Sequence, residues 1–402
     1  MTNQIPLVQG REYLAIPGPS VMPDAVLQAM HRPSPNIYDG ELVEMMPALI
    51  SDLKRVARTR HNVAIYIANG HGTWEAALSN VIAPGETVLA PASGRFTHGW
   101  AEMAEGVGAK VQLLDFGTAS AWDFDQIDDA LRADKDHQIK AVLAVHVDTS
   151  SSIRNDIPTL RRLLDDLGHP ALLMADCIAS LGCDRFKMDD WGVDVTVSAC
   201  QKGLMTPAGL GFVFFNDKAQ AKRATMPRVS QYWDWQPRAN PDLFYQYFNG
   251  TAPTHHLYGL RAALDLIHAE GIEHVWARHE HLAKAIWAAC ETWAQGGALH
   301  LNVTDRAHRS RAVTSLRLSN GRGTPLRAYT ENQLGLTLGI GLGMEDYDGC
   351  FRLGHMGHVN GQMIMAMLGG METAMAALDI PRGAGALEAA ATTLATQTEP
   401  SD

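Results

Sequence analysis

Ala171-Leu172-Leu173-Met174-Ala175-Asp176 is apolar for five residues and then ends on a carboxylate. A run without polar alternation suits a strand covered on both faces, the usual setting of a parallel sheet. Before it, Ile157, Leu160, Leu163, Leu164 and Leu167 recur at three-and-four spacing, a helical face closed by Gly168 and Pro170. The alternation extends both ways. Strands are predicted over residues 63–68, 87–90, 111–116, 139–147, 193–198 and 211–215. A further helix carries Phe124, Ile127, Ala130 and Leu131, with Asp123 as its N-cap. Such a pattern predicts an α/β domain whose mostly parallel, seven-stranded sheet has helices on both sides.

After Gly250 the character changes. Two long helical segments, about 256–269 and 272–295, follow each other without a strand. A strand near 312–319, a helix near 326–335, a Gly-rich stretch over 336–343 and a Met- and Ala-rich helix over 362–378 come next. The reading is an N-terminal segment (1–19), a large domain (20–255), connecting helices (256–299) and a smaller C-terminal α+β domain (300–402). The tail after Ala384 is expected to begin helical and then fray. Met363, Met365, Met367, Met371 and Met375 are read as helix packing.

Composition bounds the rest. The chain has 402 residues, 46% hydrophobic and 19% charged, with a formal net charge of -11 and no long block of like charge. That balance argues against a nucleic-acid partner. No apolar stretch approaches the roughly 20 residues that span a bilayer, and the first residues lack a basic start and an apolar core. The terminal Pro400-Ser401-Asp402 is not a peroxisomal address. Five cysteines without CxxC or metal-ligand spacing read as reduced thiols, with no metal site. Soluble and cytoplasmic is the expectation.

Three stretches could carry chemistry. Ser198-Ala199-Cys200-Gln201-Lys202-Gly203 follows a buried strand, where open α/β sheets bind ligands. A partly desolvated lysine there can lose its proton and attack a carbonyl; the alternative is a solvated loop lysine. Asp176 ends an apolar strand, where a carboxylate needs a partner. A pyridinium nitrogen of pyridoxal phosphate would serve, and so would a helix N-terminus or a salt bridge. The two residues lie 26 positions apart. Ala68-Asn69-Gly70-His71-Gly72-Thr73-Trp74-Glu75 turns from strand to helix and could present N–H groups to a phosphate. It matches neither GxGxxG nor the P-loop, and His71 could be a turn residue only.

With Gly70-His71-Gly72-Thr73-Trp74-Glu75-Ala76-Ala77, Ala175-Asp176-Cys177-Ile178-Ala179-Ser180-Leu181-Gly182, Met188-Asp189-Asp190-Trp191-Gly192-Val193-Asp194, Gln201-Lys202-Gly203, Phe351-Arg352-Leu353-Gly354-His355-Met356-Gly357 and Ile16-Pro17-Gly18-Pro19-Ser20, the chain resembles the class V, fold-type I aminotransferases. Within them it is similar to the alanine/serine–glyoxylate group. The resemblance runs from about residue 14 to 380. It implies pyridoxal 5'-phosphate as cofactor, held covalently by Lys202, which then moves the substrate's proton. Asp176 would hold the pyridine nitrogen, with Ile178 against one ring face and Phe96 against the other. Gly70, His71, Gln201 and Thr251 would hold the phosphate, Thr251 from the second subunit of a homodimer. Arg352 would fork onto the substrate carboxylate, Thr149 would contact cofactor or substrate, and Gly18 would line the pocket. The implied reaction is a ping-pong transfer of an amino group from a small amino acid (serine, alanine or aspartate) to glyoxylate or another short 2-oxo acid.

Alternatives stay open. Arg352 could face a structural carboxylate, Phe96 could be core, and Trp74 reads as packing. Where the family has a phosphate-reaching tyrosine, Phe248 stands here with Tyr247 beside it, and Thr149-Ser150-Ser151-Ser152 lacks the family's glycine. Arg95 or His355 could meet a second carboxylate. A pyridoxamine–pyruvate transaminase-like enzyme shares several motifs, among them Val275-Trp276-Ala277-Arg278-His279. Cysteine desulfurases need a mobile cysteine, for which Cys350 is poorly placed. A non-enzymatic α/β protein binding a phosphate ligand is the reading from another class.

Overall fold

The computed structural model describes residues 7–396. Met1–Pro6 and Gln397–Asp402, on which the readings of no leader, no peroxisomal address and a frayed end partly rest, lie outside them. In chain order the strands are β1 (Tyr13–Ala15), β2 (Asn62–Ala68), β3 (Thr87–Ala92), β4 (Lys110–Asp115), β5 (Ile139–Val145), β6 (Val147–Asp148) and β7 (Ile153–Arg154). There follow β8 (Leu172–Asp176), β9 (Val195–Ala199), β10 (Gly209–Phe215), β11 (Leu299–Leu301), β12 (Val313–Leu318), β13 (Leu336–Ile340) and β14 (Cys350–Gly354).

The larger sheet has seven strands in the order β2-β10-β9-β8-β5-β3-β4, and only β10 runs against its neighbours. This is the mostly parallel sheet that the apolar runs predict. The reason can be followed along β8. Leu173 and Ala175 enter one core with Ile65 and Val142, while Leu172 and Met174 enter the opposite core with Ala141 and Leu143. Successive side chains point to opposite faces, so a strand covered on both must be apolar throughout. Helix Ile157–Asp166 closes the first face through Ile157, Leu160 and Leu164. Helices Gly70–Val81 and Arg95–Gly106 close the second through Trp74, Val81 and Trp100.

The predicted strand 139–147 stops early. His146 still donates its N–H to the Asp176 carbonyl (2.9 Å), but Asn155 binds the Val145 carbonyl (2.8 Å) and turns the chain into the small β6–β7 hairpin. In the loop that lacks the family's glycine, Ser152 itself adopts a left-handed φ of 63°.

The second sheet runs β1-β13-β14-β12-β11. Its first strand, Tyr13–Ala15, comes from the segment that the sequence reading set apart, and pairs in parallel with Leu336–Leu338. The Gly-rich stretch is therefore a strand. Gly339 and Gly354 leave room for the chain crossing over them: a Cβ on Gly339 would lie 2.6 Å from Pro17 Cδ, and one on Gly354 would strike the Ile16 backbone. That crossing carries Pro17 and Gly18 to the large sheet. The two long helices, Thr254–Glu270 and Ile272–Ala294, meet at Gly271 (φ 86°). Met367, Met371 and Met375 of helix Gly361–Ala377 fill the core of the second sheet. Among the described residues no helix is long and apolar enough to cross a membrane.

Candidate active site

Strands β2, β3, β5, β8 and β9 all end at one edge of the large sheet, and the residues after each end enclose a cavity of about 230 Å³. Gly70, His71, Phe96, Thr149, Asp176, Ile178, Gln201 and Lys202 line it, and Gly18 and Arg352 arrive from the second sheet. Ten of the eleven residues singled out in the sequence are thus brought together. Thr251 is not among them; it is exposed, in the turn between Phe248 and helix Thr254–Glu270.

Asp176 is 3% exposed and has no cation at ion-pair distance among the described residues. Its Oδ1 accepts the Ile178 N–H (2.7 Å) and its Oδ2 accepts Trp74 Nε1–H (2.9 Å). Burial pushes its pKa up to about 7, with the Asp148 charge adding and the two hydrogen bonds opposing. A carboxylate in this state is short of one positive partner. Trp74, read as packing, does pack face to face with Trp100 (6.0 Å), but it also orients this carboxylate. The signal that could have found it is its place one turn inside a helix whose N-terminus opens on the site.

Lys202 stands in the turn after β9. Its carbonyl accepts Ser20 Oγ–H (2.7 Å) and its Nζ donates to the Pro17 carbonyl. Burial first, and the Arg352 guanidinium second, lower its pKa to about 8. Lys202 and Asp176 feel each other's charge yet stand beyond ion-pair distance, and both face the same cavity. Gly18 (φ 96°) is needed beside the amine: a Cβ there would collide with the Lys202 side chain. Next to it, Gln201 Oε1 is buried with no partner.

Arg352 is 6% exposed in β14, and its Nε and Nη1 donate to the carbonyls of Ile340 (2.7 Å) and Thr149 (2.9 Å). No structural carboxylate lies at ion-pair distance among the described residues, and burial lowers its pKa to about 10. It is a guanidinium held in place by neutral groups and free to take an anion. Ile178 presses on Gly70, where a Cβ would come within 2.5 Å of its Cδ1. Gly70 and His71 open a helix capped by Asn69, whose Oδ1 accepts the Gly72 N–H (3.2 Å). As its first residues they have N–H groups with no partner inside the helix. Burial lowers the His71 pKa.

Phe96 owes its position to Asp148, which the sequence reading passed over. Asp148 is fully buried and accepts N–H bonds from Phe96 (2.8 Å) and Ser150 (2.9 Å), pinning the start of helix Arg95–Gly106. Gly94 has no space for a Cβ against that carboxyl group. Phe248 is core, while Tyr247 is half-buried beside it. Cys350 is buried in β14. His355 is fully buried, both ring nitrogens engaged by the Arg311 carbonyl (2.9 Å) and Thr314 Oγ1 (3.0 Å). It is in no position to meet a substrate carboxylate.

A buried carboxylate short of a cation, an amine of lowered pKa, a partnerless amide oxygen and two unpaired helix N–H groups fit pyridoxal phosphate in one piece. The chain's similarity to known proteins agrees. The sequence pattern of the family Aminotransferase class-V matches residues 13–341. The serine–glyoxylate aminotransferase of Methylorubrum extorquens is 34% identical over 377 residues, 91% of this chain and 91% of the relative. The L-aspartate–glyoxylate aminotransferase of Paracoccus denitrificans is 33% identical over 397 residues, 97% and 96% of the two chains. Among solved structures, pyridoxamine–pyruvate aminotransferase from Mesorhizobium loti matches with a TM-score of 0.87 at 25% identity, covering 98% of each chain. The fold, the composition of the cavity and these similarities lead to one conclusion: the chain belongs to the class-V aminotransferases, transaminases that depend on pyridoxal phosphate.

Proposed function

We propose that this transaminase moves an amino group from a small amino acid (serine, alanine or aspartate) to glyoxylate or a similarly short 2-oxo acid. The observation that carries the reading is that Lys202, Asp176 and Arg352 line one small cavity, with Arg352 its sole arginine. One guanidinium for one carboxylate suits short substrates, and a cavity of about 230 Å³ that must also hold the cofactor leaves little room for a long side chain. The similarity to serine–glyoxylate and L-aspartate–glyoxylate aminotransferases supports glyoxylate as acceptor.

Bound pyridoxal phosphate supplies the electron sink into which the bonding pair at Cα is drawn when its proton leaves. The chain's residues do the rest. Asp176 would keep a proton on the pyridine nitrogen, and that nitrogen would be the cation the carboxylate lacks. Lys202 would hold the cofactor until a substrate amine replaces it, then take the Cα proton as a base whose lowered pKa suits that task. Arg352 would hold the substrate carboxylate as a bidentate fork. Ile178 and Phe96 would sandwich the ring, and Thr149 would border cofactor and substrate. Gly70, His71 and Gln201 would receive the phosphate.

The division of labour that we propose puts the cofactor on residues 20–255 and the substrate fork on 300–402. We also propose a cytoplasmic homodimer in which Thr251 completes the partner's phosphate site. Its exposure away from its own chain's cavity supports that role, and the five free, buried cysteines support a reducing compartment. The pyridoxamine–pyruvate reading keeps one argument, the likeness to the Mesorhizobium loti enzyme. The unsatisfied Gln201 and the open helix N-terminus favour a retained phosphate instead. The test is a half-reaction screen: serine, alanine, glycine, aspartate and pyridoxamine are each added to the holoenzyme, and conversion of the cofactor is followed by absorbance. The reading expects a small amino acid to convert it and glyoxylate to reverse the change. Conversion by pyridoxamine alone would refute it.

A further inference from the structure

The sequence left two cations, Arg95 and His355, for a second substrate carboxylate, and the fold removes His355. Arg95 is the first residue of helix Arg95–Gly106, next to Phe96 of the cavity wall. Its backbone is fixed by the Arg95 N–H bond to Ser150 Oγ (3.1 Å). Its side-chain stem lies on Gly343, where a Cβ would come within 2.7 Å of Arg95 Cβ and 3.0 Å of its Cδ. Gly343 adjoins Leu342, another lining residue. Arg95 is therefore held at the mouth of the cavity between two walls. Its charge also reaches His71 on a third.

Arg95 is exposed, and among the described residues no ion pair, side-chain hydrogen bond or ring contact engages its guanidinium. The residues that line the cavity offer nothing for a second anion. Asp176 repels one, Arg352 is committed to the first carboxylate, Lys202 to the cofactor, and burial favours neutral His71. We infer that Arg95 is a specificity residue that recognises the side-chain carboxylate of a short dicarboxylic amino donor of aspartate's length. Such a donor would span from Arg352 in the cavity to Arg95 at its mouth. This inference rests on the aminotransferase reading above and adds the donor class.

The experiment uses the holoenzyme and two variants, Arg95→Met, which keeps the stem on Gly343 without the charge, and Arg95→Lys, which restores a charge. Half-reaction kcat/KM is measured with aspartate and with alanine at low and high salt. Succinate, which has two carboxylates and no amine, is tested as a competitive inhibitor. Arg95→Met is expected to lower the aspartate-to-alanine ratio at least about ten-fold, about 1.4 kcal/mol, mainly through KM, and to weaken succinate inhibition by a similar factor. Arg95→Lys should recover part of both. Salt should erode the wild-type preference, since an exposed charge is screened over about 10 Å at 0.1 M. A purely structural role would move neither the ratio nor the salt response. The inference is overturned if the ratio stays within two-fold in Arg95→Met, or if the wild type converts alanine or serine but not aspartate. In both cases the aminotransferase reading survives. No conversion with any donor would remove that reading and this inference together.

Discussion

Replacing Asp176 with asparagine should strengthen the cofactor-free protein while disabling the enzyme. The carboxyl pKa rises from its ordinary 3.8 to about 7 because the group is buried without a cation. At about 1.4 kcal/mol per pH unit, the ionised carboxylate costs the cofactor-free native state about 4 kcal/mol. The sign follows from proton binding. Between about pH 4 and 7 the native chain holds a proton that the unfolded chain has released, so stability falls as pH rises through that window, and the cost is complete above 7. Asparagine removes it. Its amide accepts from only one of Trp74 and Ile178 and turns an N–H toward the other, a loss of about 1–2 kcal/mol. The net expectation is a gain of about 2 kcal/mol at pH 8.5 that becomes a loss of about 1–2 kcal/mol at pH 4. Chemical denaturation of cofactor-free wild type and Asp176→Asn at the two pH values measures it. In the loaded enzyme the same change would take from the pyridine nitrogen the anion proposed for it and should cut kcat by about 10²-fold or more. A variant destabilised equally at both pH values would refute the reasoning, because the carboxylate would then bear no burial cost.

Trp74→Phe removes a hydrogen bond that favours the ionised Asp176, so the pH window of falling stability should extend upward, readable in the same titration. Arg352→Lys keeps a charge but loses the planar fork; KM for the 2-oxo acid should rise about ten- to a hundred-fold in steady-state assays. Gly18→Ala forces a Cβ into Lys202 at a φ of 96°; displacing the amine should lower kcat by about 10²-fold, with the far-UV circular dichroism unchanged.

The large sheet was legible because its strands are buried on both faces, and continuous runs such as Leu172–Asp176 record that directly. The strand-end residues Asp176 and Lys202 followed from where such sheets bind ligands, and most other site residues from the family's motifs. The small sheet was harder. Tyr13–Ala15 and Leu299–Leu301 span three residues each, too few for a period to register, and the partner of the first, Leu336–Leu338, lies at the other end of the chain. Asp148 and Trp74 escaped notice for another reason: their roles lie in bonds to Phe96 and Asp176, 52 and 102 positions away. Local pattern carries no record of such contacts. Likewise only the packing around His355 separated it from Arg95.

Lys202 is the residue proposed to hold the cofactor, and every other role in the cavity follows from that attachment. Borohydride reduction of the loaded protein, followed by proteolysis and mass spectrometry, tests this in one step. A single phosphopyridoxyl group on the peptide containing Gln201-Lys202-Gly203 is the predicted result. Attachment to a different lysine, or no covalent adduct from a protein that has taken up the cofactor, would contradict it.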